Sequence, residues 1–315
     1  MRIFDIDFAR LIGLLLLIAG ISTGLSCRSE ERSNKKVFFV ATIHPVAAIL
    51  RELTQGRAEV TCLLPAGASP HTYEPRPSDS RLIEGCTGLF SVSPELDSWA
   101  SELSLENSTR LMDLVPEDLV QTFPEGDHAE GGDEGEHAEA DHHHHEGVED
   151  PHFWTDPKVV AALVPILADR LIGLDPAGRT VYLENSQRFI KRLDELDAEL
   201  ARELAPCEGR NVVLFHPSFL YLLKRYGMKY AGSIEPIPGK EASPQYIIEV
   251  TKRIQDLKVR AVFTEPQLAR RPAEIVSESA GVPLFELDPN GGTQGKMTYE
   301  ELMRYNAGVF AKALK

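Results

Sequence analysis

Strand-like and helix-like segments alternate through most of this chain, and the alternation resumes after one long helical stretch. Residues 37–43 (VFFVATI), 58–64 (AEVTCLL) and 89–92 (LFSV) are short β-branched or aromatic runs, and helix-patterned segments separate them. Later runs of the same kind are 211–215 (NVVLF), a weaker 228–232 (MKYAG), 259–264 (VRAVFT) and 283–287 (PLFEL). Strands linked by helices run parallel with both faces covered, so they read as continuous apolar runs. Between the two sets, residues 181–204 place Phe189, Leu193, Leu196, Leu200 and Leu204 at steps of three and four, one stripe of a helix. Its 24 residues would reach ~36 Å, enough to cross a domain. With 315 residues, 43% of them hydrophobic, the chain can build more than one core. The fold expected is α/β: a first lobe over 37–175, a linking helix over 176–204 and a second lobe over 205–315. Asp156 before Pro157 and Ser243 before Pro244 read as helix caps, and Asp175 before Pro176 as a third. A final amphipathic helix is expected over 298–314.

One stretch cannot join either core. Residues 125–150 hold six histidines and eleven carboxylates with no lysine or arginine. Such a composition is expected to stay disordered. Its imidazoles, at His128, His137, His142, His143, His144 and His145, suit weak metal binding, and its carboxylates draw cations toward them. The net charge of −15 argues against nucleic acid as a partner; eleven of the negative charges sit in this stretch, and the rest of the chain is only mildly acidic.

At the start, Arg2 and Arg10 precede an apolar run over 11–21 that is shorter than the ~20 residues a membrane helix needs. Residues 1–26 therefore read as an export signal, with Cys27 as a lipidation site and a polar tether to residue 36. This places the mature protein in the periplasm or on the outer face of the cytoplasmic membrane. Cys62, Cys86 and Cys207 fit no metal spacing; a disulfide and buried thiols are both open for them.

Four side chains stand at special places, three of them at or just beyond the carboxyl end of an expected strand. His216 follows NVVLF, Asp288 follows PLFEL, His71 lies in the loop after the second strand, and His152 precedes a helix. The carboxyl edges of open parallel sheets are where ligands bind. Three imidazoles and a carboxylate suit a tetrahedral divalent ion and favour zinc over manganese. Two further residues border the same edge. His44 in TIHPV reads as a helix cap. Glu265 reads as a hydrogen-bonding partner of a ligand, while Phe153 and Trp154 pack around His152.

The segments LLPAGASPHTYEPRPSD, DPHFWTDP, VVLFHPSFLYLLKRYGM, FTEPQ and LFELDPNGG, in this order, resemble the metal-binding solute receptors of bacterial zinc/manganese ABC importers. The resemblance spans the mature chain. It implies two Rossmann-like lobes, a rigid linking helix, and a metal held between the lobes by His71, His152, His216 and Asp288. Manganese receptors of this kind often carry a carboxylate where His216 stands, so zinc is the cargo implied. An acidic, histidine-rich loop in the first lobe is typical of the zinc members. The partner implied is a membrane permease with a separate ATPase subunit, since no Walker-type motif occurs here; the receptor itself is expected to be a monomer and not an enzyme. Two alternatives remain: the same fold carrying manganese or iron, and a zinc-dependent hydrolase with Glu265 as base. Against the hydrolase, the chain has no HExxH, and Asp288 can close the coordination that catalysis needs open.

Overall fold

A computed structural model describes residues 36–103, 106–124 and 147–315. The signal segment, Cys27 and the six loop histidines lie outside the described residues.

The first lobe contains β1 (Phe38–Ala41), α1 (His44–Thr54), β2 (Glu59–Cys62), α2 (Pro77–Glu84), β3 (Gly88–Ser91), α3 (Pro94–Asp97), β4 (Ser108–Arg110) and α4 (Pro157–Leu174). Then comes α5 (Arg179–Leu204). The second lobe adds β5 (Asn211–Leu214), α6 (Leu220–Arg225), β6 (Lys229–Ser233), α7 (Pro244–Asp256), β7 (Val262–Thr264), α8 (Arg270–Ala280), β8 (Leu284–Glu286) and α9 (Tyr299–Leu314). Both sheets are parallel, and both have the same order: β2-β1-β3-β4 and β6-β5-β7-β8. The chain reverses direction across each sheet between β1 and β3, and between β5 and β7, which opens a crevice at the carboxyl ends of those strands.

Strands β1 and β5 are largely apolar because each contributes to two cores. Phe39 and Ala41 of β1 face the main core, and Val40 faces a smaller one with Leu89 and Trp99. Val212 and Leu214 of β5 face the main core, and Val213 faces another with Val262 and Val276. The main core is continuous between the lobes. It runs from Leu50 through Leu163, Leu193 and Leu200 to Phe310, so the linking helix is embedded in it. Helix α5 packs against α4, α1 and α9. At 26 residues it is slightly longer than its stripe predicted.

Asp156 and Ser243 cap their helices, accepting from the amides of Lys158 and Tyr246. Asp175 does not: its carboxylate instead takes the Arg57 guanidinium at 2.5–2.6 Å and the Tyr182 hydroxyl at 2.6 Å. Nor does His44 cap α1; it is the first helical residue, after Ile43, and makes no capping bond. Glu149 and Asp150, part of the stretch expected to be disordered, are held in place. Thr122 and Glu149 form an antiparallel bridge, the Asp150 amide donates to Gln121 at 2.8 Å, and Asp150 is fully buried. Strand β4 has no apolar run to announce it, and α8 carries no strong start signal; neither was expected. Cys62, Cys86 and Cys207 are thiols, and burial pushes the Cys62 thiol up to about 12. No helix among the described residues is long and apolar enough to cross a membrane.

Candidate metal centre

Three imidazoles meet in the crevice, each carried by a differently anchored segment. His71 sits in a short 3-10 turn, Pro70–Thr72, which is fixed from behind by the Trp99 indole donating to the Pro70 carbonyl at 2.9 Å. His152 precedes α4 in a segment bonded to the second lobe. The Trp154 indole donates to the Pro289 carbonyl at 2.9 Å, and the Tyr299 hydroxyl donates to the Trp154 carbonyl at 2.8 Å. His216 lies just beyond the end of β5.

Ligand-capable nitrogens of the three rings lie within 4.8 Å of one another. The His152 and His216 Nε2 atoms are 3.4 Å apart. Two nitrogens held ~2.0–2.1 Å from one tetrahedral zinc would be separated by about 3.4 Å. The other ring nitrogens are held from outside. His152 Nδ1 is 2.7 Å from Asp150 Oδ1, which also accepts the His152 amide at 2.9 Å. His216 Nδ1 is 2.8 Å from Glu265 Oε1, and Ser218 Oγ donates to the same oxygen at 2.9 Å. The His71 ring bonds the Glu95 backbone, and its Nε2 is buried with no partner among the described residues. With a metal on Nε2, the Nδ1–H groups of His152 and His216 would each donate to the neighbouring carboxyl oxygen, which fixes the ring's orientation.

Burial, then the neighbouring rings, hold His71 and His152 well below the ordinary imidazole range, so both are neutral and ready to ligate. Burial pushes the Asp150 carboxyl up to about 8 against the His152 amide's hydrogen bond. A cation on Nε2 would favour the form with the proton on His152 Nδ1 and the charge on Asp150. The cavity in front of the rings measures ≈ 10 Å³, about the room of a single water or ion. Gln267, Pro289 and Asn290 line its far side.

Asp288, the fourth expected ligand, is not gathered with the histidines. Its Oδ1 accepts from Gln267 Nε2 at 2.7 Å and from the Asn290 and Gly291 amides at 3.1 and 2.9 Å; its Oδ2 is 2.5 Å from Lys296 Nζ. Burial alone would raise its pKa, but Lys296, the Gly291 amide and Gln267 outweigh it and hold the group below the usual carboxylate range. Glu265 is bonded to the His216 ring. His44 packs against Gly292, hydrogen-bonds the Leu64 backbone and stays outside the cluster. Asp150, Gln267 and Lys296 were missed. For Asp150 the available signal was a carboxylate two residues before His152; its acidic neighbours masked it.

The family model for the zinc-uptake complex component A, periplasmic (ZnuA), matches residues 39–313. The chain belongs to this family. It is 29% identical over 291 residues to the high-affinity zinc uptake system protein ZnuA of Yersinia pestis, spanning 88% of this chain and 91% of that one. It is 27% identical over 307 residues to the manganese-binding lipoprotein MntA of Halalkalibacterium halodurans, spanning 96% and 95%. Among solved structures, a Zn(II)-bound variant of Streptococcus pneumoniae AdcAII superposes with a TM-score of 0.74 at 25% identity, over 90% of this chain and 100% of that one. The periplasmic zinc-binding protein TroA of Treponema pallidum, at 22% identity and a TM-score of 0.74 over 89% of this chain and 99% of that one, shares the ZnuA-type two-lobed fold.

Proposed function

We propose that this protein captures a zinc ion outside the cytoplasmic membrane and delivers it to the permease of an ABC importer driven by a separate ATPase subunit. The observation that carries the reading is the convergence of the His71, His152 and His216 rings, with the Nδ1 atoms of two of them held by the buried Asp150 and Glu265. Asp288 closes the coordination once its carboxylate turns toward the ion. An all-imidazole trio favours zinc. Family membership and the names of the zinc-uptake relatives support the same cargo. The manganese-binding relative keeps manganese as the competitor to test.

Glu265 Oε1 is taken up by His216 and Ser218, which counts against its acting as the base of a hydrolase. Cys27 is proposed as a lipid anchor, in keeping with the lipoprotein names among the relatives. The histidines at 128–145 serve as a weak collector. The Thr122–Glu149 bridge anchors the end of their segment one residue before Asp150, which holds His152.

The test is a zinc titration of protein lacking residues 125–146, with and without the paired changes His71→Ala and His216→Ala. Tight capture should survive the deletion and vanish with the paired changes; its survival in the doubly substituted protein would overturn the reading. Competition between zinc and manganese at equal free concentration decides the cargo.

A further inference from the structure

Asp288 and Lys296 form a contact that a simple metal cage would not need. Lys296 Nζ lies 2.5 Å from Asp288 Oδ2; the lysine side chain is 12% exposed and the carboxylate 1%. The chain makes a purpose-shaped turn to bring them together. Gly291 and Gly292 take left-handed φ values of 65° and 80°. A Cβ at Gly292 would lie within 2.5 Å of the His44 ring, so only glycine fits there. The Gly292 amide then donates to the Lys296 carbonyl at 2.9 Å and closes the loop. The ammonium also rests over the Tyr305 ring, 4.5 Å from its centroid.

The two carboxylate oxygens are unequally held. Oδ1 accepts three N–H groups, from Gln267, Asn290 and Gly291, whereas Oδ2 is engaged by Lys296. Oδ2 is therefore the oxygen that an incoming dication can take with the fewest bonds broken. Gln267 stands between Asp288 and the cavity, and its Oε1 is buried without a partner among the described residues.

We propose that Lys296 is an internal competitor for the transported ion: its ammonium neutralises Asp288 while the site is empty, yields Oδ2 to the dication on capture, and retakes it on release. This rests on the zinc reading above. The physical reason is charge. An ammonium within a few ångströms of a dication is repelled, more strongly in a dry site than in water. Capture must therefore displace it, which weakens binding and gives release a ready-made replacement for the ion. A buried carboxylate stripped of both partners would be costly, so the lysine also stabilises the empty protein.

The test uses the full-length protein and zinc alone, with affinity measured by chelator competition and dissociation by rapid mixing. Lys296→Met removes the charge and keeps most of the bulk. It should bind zinc at least tenfold more tightly, release it more slowly and melt lower when metal-free. Lys296→Arg should stay near the parent affinity. On the Asp288→Asn background, Lys296→Met should bring no gain. A merely structural lysine would weaken binding on removal, so unchanged or weaker binding by Lys296→Met overturns the proposal. A zinc-loaded crystal structure gives an answer that does not depend on the variant folding: Lys296 should have left Asp288, and a retained contact overturns it. If the parent protein captures no zinc, the fault lies with the zinc reading; if it does and these results fail, the fault lies with the competitor.

Discussion

Asp150→Asn isolates what a buried carboxylate does for the centre, because asparagine keeps the shape and the acceptor while losing the charge. In the structure Asp150 Oδ1 serves both the His152 amide and His152 Nδ1, at 2.9 and 2.7 Å. A zinc ion on Nε2 makes Nδ1–H a stronger donor, and the bond to a carboxylate is charge-assisted. Such a bond contributes about 1.5–3 kcal/mol, against about 0.5–1.5 kcal/mol for a neutral one. The difference, about 1–1.5 kcal/mol, corresponds to roughly tenfold weaker zinc binding. Asp150→Ala, which removes the acceptor altogether, should approach the ~100-fold end of the effects of such partners on metal affinity. The stability of the empty protein should move the other way. Asp150 is raised to about 8 when folded, from 3.8, so the folded chain holds a proton that the unfolded chain has released throughout that window. Stability is then lost as pH rises, by at most about 1.4 kcal/mol per pH unit. Asp150→Asn lacks this loss, so its advantage over the parent should grow from about pH 4 and level off above about 8. Chelator competition for zinc and urea melts of metal-free protein from pH 4 to 9 measure both. Zinc affinity within twofold of the parent, with no pH-dependent gain in stability, would refute the assignment of Asp150 as the group that orients His152.

Removing residues 125–146 should leave one tight zinc equivalent and reduce the weak ones, as counted by calorimetry; extending the cut to 150 should damage the tight site, because it takes Asp150 with it. Leu200→Ala, at a fully buried position of the linking helix, should cost about 2–5 kcal/mol of unfolding free energy, read from urea denaturation; a loss under about 1 kcal/mol would mean that the helix is not embedded in the shared core. Since His71 and His152 are held well below the ordinary imidazole pKa, mild acid should not protonate them. NMR titration of these two rings in the metal-free protein should show no midpoint near 6.5; a midpoint there would contradict their burial.

Much of this was legible in the chain. Strand periodicity in 37–43 and 211–215 marks central parallel strands because each residue there is covered whichever face it points to, and the stripe from Phe189 to Leu204 marks a helix with one buried side. His216 after NVVLF and His71 after the second strand were legible because the carboxyl edge of a parallel sheet is a fixed address; His152, ahead of a helix, came with the ordered motifs of the resemblance. What the sequence could not contain is the outcome of competition between partners. Asp288 at a strand end reads as a ligand, but the turn through Gly291 and Gly292 delivers Lys296 to its carboxylate. Asp175 before a proline reads as a cap, yet Arg57 and Tyr182, distant or on another turn, claim it. Asp150 reads as one more charge in an acidic run, while its burial makes it the orienting group of His152. Periodicity reports which face of an element is apolar, a local property of the chain. Which of several polar groups reaches a given oxygen depends on distances between segments far apart in sequence, and folding alone sets those.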